Sequence, residues 1–321
     1  MDQEGFRAML RTRELPEEAI EASVALAERF EAFVDASGGG PPAGAAPAFS
    51  RALIEAGENT EANYYALARY GLFTGNNDLY VAILELLDGA EAQENLYRQV
   101  GEAFGPEVRD DVFRGIGLAP LGLPSPDKPR TLHPVLERLE KRVGAEATRE
   151  LLSGCLRDLP DRYFAPERRR YRTADDIDHY LRKKHKALVR ELKTCHREGR
   201  LFFAQEITDE VVAFVEADPE IESGRREGDV VTVSKIPYQA KEYLAETDPT
   251  LKRYYACHCP WAREAIKRGD VPLFADFCYC SGGFHKKPWE IIFGQTLQVD
   301  VLESVLRGDA RCRFAIHLPR A

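Results

Sequence analysis

Apolar residues recur at helical spacing over the first two hundred positions and at strand spacing in parts of the last third of the chain. Ile20, Val24, Leu26, Ala27, Phe30, Phe33 and Val34 define one helix over 15–36. Its start carries Pro16-Glu17-Glu18, which suits a helix N-terminus and its dipole. Ser37-Gly38-Gly39-Gly40-Pro41-Pro42 then reads as a flexible connector. Similar patterns predict helices over 47–56, 60–73, 77–88, 90–104, 106–114, 131–143 and 146–158. Asn76-Asn77-Asp78 supplies an N-cap for Leu79, Ile83 and Leu86-Leu87. A longer helix spans 173–198, capped by Thr173 with Asp175 and Asp176 in its first turn. No strict repeat period is present, which favours an ordinary bundle over a solenoid.

After about residue 200 the period changes. Ile207 to Val215 is a short helix. Asp229 to Pro237, Arg253 to Cys259, Leu273 to Cys280, Leu297 to Val305 and Arg311 to Leu318 read as strands. Gly282-Gly283 breaks the chain before a helix over 284–293, and Arg307-Gly308-Asp309 makes a tight hairpin turn. The order β-β-β-α-β-β predicts an α+β fold in which helices cover one face of an antiparallel sheet. The stretch 115–130, with four prolines and three glycines, is the best boundary. It separates a helical domain over 1–120 from an α+β domain over 121–321, itself helical to about 216.

Composition narrows the class. The chain has 321 residues, 44% apolar and 30% charged, enough for a packed core. Mean hydropathy is −0.39, and no apolar run approaches the ~20 residues of a spanning helix. The acidic start lacks a secretory signal pattern, so a cytoplasmic location is expected. The net charge of −9 hides segregation: net −12 over 1–161, +7 over 162–200, −8 over 201–249 and +4 over 250–321. Nucleic-acid binding calls for a dominant basic field, and here the field alternates. Neither nucleic acid nor membrane is therefore an expected partner, and a homo-oligomer is compatible with this pattern. The run Arg182-Lys183-Lys184-His185-Lys186 reads as a solvated helix face, with anion binding as the alternative.

Cysteine placement carries the chemistry. Five of the seven cysteines fall in the last 65 residues. Cys257-His258-Cys259 and Cys278-Tyr279-Cys280 are two C-x-C pairs, and on a strand residues i and i+2 share a face. Neighbouring strands would bring four thiols together, a donor set suited to tetrahedral zinc, with His258 or His285 as substitutes. Basic neighbours Arg253, Arg263, Lys286 and Lys287 would favour thiolate. Three readings stand: a metal or redox-labile cluster, a catalytic thiol with His258 or His285 as base, or small core side chains. Cys312 reads as core. Cys155 and Cys195 are placed in helices, and Cys195-His196 as incidental. Glu290 follows the cysteines on a helix. Glu303 sits among apolar neighbours in a strand, either at an exposed edge or with a raised pKa. No G-x-G-x-x-G at a strand–helix junction, Walker loop, G-x-S-x-G or H-E-x-x-H occurs.

The run from Lys252 to Leu318 contains Cys257-His258-Cys259-Pro260-Trp261, Phe277-Cys278-Tyr279-Cys280-Ser281 and Gly308-Asp309-Ala310-Arg311-Cys312-Arg313-Phe314. It resembles a prokaryotic family without a defined function. The section is similar to the 4-vinyl-reductase-type ligand-binding domain and to the L-2-amino-thiazoline-4-carboxylic acid hydrolase-like group. Gly308, Asp309, Cys312 and Phe314 match their closing G-D-x-x-C-x-F. The resemblance covers about 70 residues and implies an α+β fold binding a small molecule between sheet and helices. The double C-x-C is not part of the hydrolase pattern.

The leading expectation is a small-molecule-binding protein whose cysteines hold zinc or sense redox or metal state. The ligands would be Cys257, Cys259, Cys278 and Cys280. A second expectation is a hydrolase opening a thiazoline or cyclic amidine or amide. It would use the Cys280 thiolate or a metal-bound water, with His285 and Glu290 moving protons. A third is a non-catalytic adaptor docking through its acidic front.

Overall fold

The computed structural model describes residues 1–272 and 274–320. The chain forms two compact units: one from 1–90 and 118–128, the other from 91–117 and 129 onward. Among the described residues no helix is long and apolar enough to cross a membrane.

The first unit is built from α1 (Gln3–Arg11), α2 (Glu17–Ala36), α3 (Pro42–Glu55), α4 (Glu61–Phe73) and α5 (Asn77–Leu87). The pattern of apolar positions does not announce α1, because only Phe6 and Leu10 mark its inner face; both are fully buried. The core gathers Phe30, Phe49, Leu53, Tyr64, Leu67 and Ile83. The stretch 118–128 returns to this unit and is pinned by Ser50, whose hydroxyl donates to the Gly122 carbonyl at 2.6 Å and bonds the Tyr64 hydroxyl.

The second unit opens with α6 (Ala92–Phe104), α7 (Pro106–Val112), α8 (Lys128–Val143, all but its first residue) and α9 (Ala145–Ser153). A 3₁₀ turn (Asp161–Phe164), α10 (Ala165–Arg172), α11 (Ile177–Glu198) and α12 (Asp209–Ala217) follow. Helix α11 is capped by Asp176, not Thr173: the Asp176 carboxylate accepts the His179 amide. Next come β1 (Arg225–Glu227), β2 (Val230–Ser234), α13 (Ala240–Ala245), α14 (Pro249–Ala256) and α15 (Arg263–Arg268). A 3₁₀ turn (Ala275–Phe277), α16 (Cys278–Phe293), β3 (Gln298–Glu303) and β4 (Arg313–His317) complete it.

The fold class is α+β, with a helical N-terminal region and one four-stranded antiparallel sheet of order β1-β2-β4-β3. Register places Val233, Phe314 and Val301 in one cross-strand row and Val231, Ile316 and Val299 in the next. These residues are buried, and Gly282 of α16 packs against Val299 and Phe314. Glu303 lies at an edge, on β3, where Arg311 grips its carboxylate at 3.0 and 3.1 Å. The hairpin connection is longer than the tight turn expected: it runs over 304–312, with Gly308 at φ +102°.

Two expected strands do not form: 253–256 is helical and 257–259 irregular, and the second is helical from Ala275, so the order β-β-β-α-β-β does not hold. Over 253–259 the tyrosines are of a residue type common in strands. Asp248 nonetheless caps α14, accepting the Thr250 and Leu251 amides at 2.8 and 2.9 Å, and Pro249 takes the first helical position. Of the second expected strand, Leu273 lies outside the described residues; 275–277 is a 3₁₀ turn and α16 begins at Cys278. Gly282 and Gly283 do not break the chain but sit inside α16. Glycine costs a helix about 1 kcal/mol, and here two close backbone approaches require it. A Cβ at Gly283 would stand 2.4 Å from the Ser153 carbonyl oxygen and 2.8 Å from the Cys155 amide nitrogen.

Candidate functional site

Helix α16 sets the geometry of the thiols. Residues two apart on a helix point about 200° from each other, so Cys278 and Cys280 face opposite ways rather than sharing a face. Cys278 is buried and accepts the Ser304 hydroxyl at 2.9 Å. It also donates to Cys312, which sits just ahead of β4. Cys280 is partly buried, turns to the loop after α9, and accepts the Leu156 amide at 3.3 Å. Its thiol donates to Cys155.

Cys155 is therefore not helical. It lies in the turn behind α9 with φ +68°, a left-handed conformation rare for a residue with a side chain. The turn is held by Gln99, which donates to the Cys155 carbonyl at 3.2 Å, and by Asn95, which donates to the Leu156 carbonyl at 3.1 Å. Gly283 supplies the gap into which this turn fits. Strain held by surrounding contacts marks functional positions more often than ordinary ones.

The first C-x-C adjoins the same region. Cys257 ends α14 and feels the charge of Cys259 and Cys312, while Cys259 acts on Cys280. Charge interactions thus link six of the seven cysteines, and all seven are free thiols. Cys195 stands apart in the core of α11 and α12, and the adjoining His196 faces the Ile207 carbonyl at 2.8 Å.

The environment divides the thiols. The hydrogen bond from Cys280 draws Cys155 down to about 7; burial opposes this, and the Arg157 amide (3.5 Å) and guanidinium assist. The bond from Cys278 likewise draws Cys312 down to about 7, against burial and with help from Lys235. Cys280 and Cys278 are pushed up, first by donating to their partners and then by burial. Burial chiefly, then the charges of Cys259 and Cys312, pushes Cys257 up.

Lys235 is central to the sheet side of the cluster. Its amine donates to Ser281 on α16 at 3.1 Å, and its charge reaches Cys257, Cys312, His258, His285 and Glu222. Burial, then the Lys235 charge, holds both His258 and His285 well below the usual imidazole range. Both rings are neutral at neutral pH. His258 donates from Nε2 to the Ile236 carbonyl at 2.7 Å. His285 stacks on Phe314 with centroids 5.2 Å apart, and its buried Nε2 has no hydrogen-bond partner among the described residues. Lys184 turns inward from the basic run of α11 toward Glu167 and Glu222, and burial pushes its pKa down.

Glu290 is engaged elsewhere. Its carboxylate pairs with Lys286 at 2.9 Å and accepts the Leu297 amide at 3.1 Å, which ties α16 to the start of β3. Among the described residues, no group of three or more His, Cys, Asp or Glu side chains is placed to hold a metal ion. A depression of about 420 Å³ beside α7 and α8 is lined by Asp111, Arg114, Arg138, Lys141 and Arg142, none of them in the thiol cluster.

Sequence reasoning missed Cys155, Lys235 and Ser304; it took Cys312 for core, and Cys312 is buried, though it also partners Cys278. The signals were slight: a glycine before Cys155, and a lysine ending an apolar strand. Comparison with protein families, curated proteins and solved structures returns no match.

Proposed function

We propose that the second unit carries a thiol-based redox-sensing site. The supporting observation is the arrangement of the thiols: Cys155 with Cys280 and Cys278 with Cys312 form two hydrogen-bonded pairs, each joining a low-pKa thiol to a protonated partner. A low-pKa thiol beside a resolving thiol is the arrangement that oxidation converts reversibly to a disulfide. Pairing favours this reading over a four-thiol zinc site, because α16 points Cys278 and Cys280 in different directions. The hydrolase reading loses its proton-transfer carboxylate, since Glu290 is engaged by Lys286 and Leu297.

The test is a thiol count on the purified full chain before and after mild oxidation, with metal content measured on the same sample. The expected result is loss of thiols in pairs, restored by a dithiol reductant, with less than about 0.2 metal per chain, since structural metal sites are normally filled. Seven alkylatable thiols after oxidation, or a stoichiometric thiol-bound metal, would overturn the reading.

A further inference from the structure

We propose that Cys155 and Cys280 form a hydroperoxide-reactive dithiol in which Cys155 is oxidised first and Cys280 resolves it. This rests on the redox reading above and names the site's substrate class and the role of each sulfur.

Three observations single out this pair. The first is rigidity. The Cys155 turn is held by Asn95 and Gln99 and seated against Gly283. Two successive backbone amides serve the two sulfurs: Leu156 donates to Cys280 at 3.3 Å and Arg157 to Cys155 at 3.5 Å. Negative charge arising on either sulfur therefore meets a donor already in place.

The second is ionisation. The Cys280 hydrogen bond draws Cys155 below the usual thiol range, which favours its thiolate, and the thiolate is the nucleophile. The third is access, which separates this pair from the other. Cys278 and Cys312 are both buried, at 8% and 7% exposed, and Cys278 also accepts the Ser304 hydroxyl. In this pair Cys155 is likewise buried, but Cys280 is partly open, so the pair as a whole can be reached through Cys280. Such limited exposure suits a hydroperoxide, whose reacting oxygen needs little room, and disfavours a bulky disulfide.

The chemistry balances. The Cys155 thiolate attacks one peroxide oxygen; an S–O bond forms, the O–O bond breaks, and two electrons pass from sulfur to oxygen. The leaving alkoxide, or hydroxide from hydrogen peroxide, takes the proton of Cys280. The Cys280 thiolate then attacks the sulfenic sulfur of Cys155. The S–S bond forms, the S–O bond breaks, and the departing hydroxide takes a solvent proton. In sum, two thiols and one hydroperoxide yield a disulfide, an alcohol or water, and water.

The test treats the reduced full chain with one equivalent of hydrogen peroxide or of oxidised glutathione and maps products by peptide mass spectrometry. The expected first product is the Cys155–Cys280 disulfide, formed at least tenfold faster with peroxide than with oxidised glutathione. Cys280→Ser should stop at a sulfenic acid on Cys155, trapped by dimedone. Cys155→Ser should consume peroxide at least tenfold more slowly. The wild-type map needs no substitution, so a variant that fails to fold does not block the test. If Cys278–Cys312 oxidises first while Cys155 stays reduced, or if dimedone marks Cys280, this assignment is wrong and the redox reading survives. If no thiol is lost with either oxidant, both fail.

Discussion

Gly283 and Ser153 approach so closely that a Cβ on the glycine would stand 2.4 Å from the serine's carbonyl oxygen. This contact lets the Cys155 turn rest on α16, and it involves backbone that cannot swing aside. Gly283→Ala should therefore destabilise despite the helix propensity gained. Overpacking costs about 1–3 kcal/mol and alanine returns about 1, so the net loss reaches up to about 2 kcal/mol. The same variant should slow formation of the Cys155–Cys280 disulfide. Denaturant unfolding and peroxide titration read the two effects, and an unchanged midpoint would refute the first.

In the first unit, Gly122 holds φ +80°, and a Cβ there would overlap the Tyr64 hydroxyl at 1.7 Å. Gly122→Ala carries left-handed strain of about 1–2 kcal/mol. It also disturbs the Ser50–Tyr64–Gly122 hydrogen bonds. A loss above about 2 kcal/mol, seen as a lowered thermal midpoint, is expected. Ser50→Ala should lose less, about 1 kcal/mol.

His258 and His285 make stability depend on pH. Their folded pKa values lie below the ordinary value of about 6.5. Above that pH both states are neutral. As pH falls below it, the unfolded chain takes up protons that the folded chain refuses, and stability drops by about 1.4 kcal/mol per pH unit for each ring. Glu222, raised by burial, opposes this by taking a proton in the folded state. The His285→Phe variant keeps the stack on Phe314 and should flatten the slope between about pH 6.5 and pH 5 by up to that amount. An identical slope in denaturant titrations would show that His285 protonates freely when folded.

Glu220 and Arg313 form a bidentate pair at 2.7 and 3.0 Å on the sheet. Burial raises the Glu220 pKa, but the hydrogen bonds from Arg313 and Ser234 outweigh it and the net shift is downward. The pair's contribution is thus present above the ordinary glutamate value of about 4.3 and lost as pH falls through the lower folded value. Glu220→Gln should cost about 1–3 kcal/mol at neutral pH and remove that part of the acid dependence. Urea unfolding of both proteins at neutral and acid pH would show the gap closing.

The sequence by itself determined most of the helices, the α+β class and the strands β2, β3 and β4. Those elements carry their signals locally: polar N-caps, apolar stripes at helical spacing, and buried apolar residues alternating with more exposed ones in β3. It also located four of the seven cysteines in two C-x-C pairs. Only the tertiary structure decided what those pairs are. Tyr254, Tyr255 and Phe277 are residue types common in strands, but the Asp248 cap makes 253–256 helical and the seating of Gly282 and Gly283 does the same for the segment from Cys278. Helical periodicity then separates Cys278 from Cys280 and gives each a partner remote in sequence, Cys312 and Cys155. No local pattern announces those partners, because the pairing depends on where a turn behind α9 meets a helix more than a hundred residues later. Spacing along a chain marks which side chains share a face only once the element is known, and here packing chose the element.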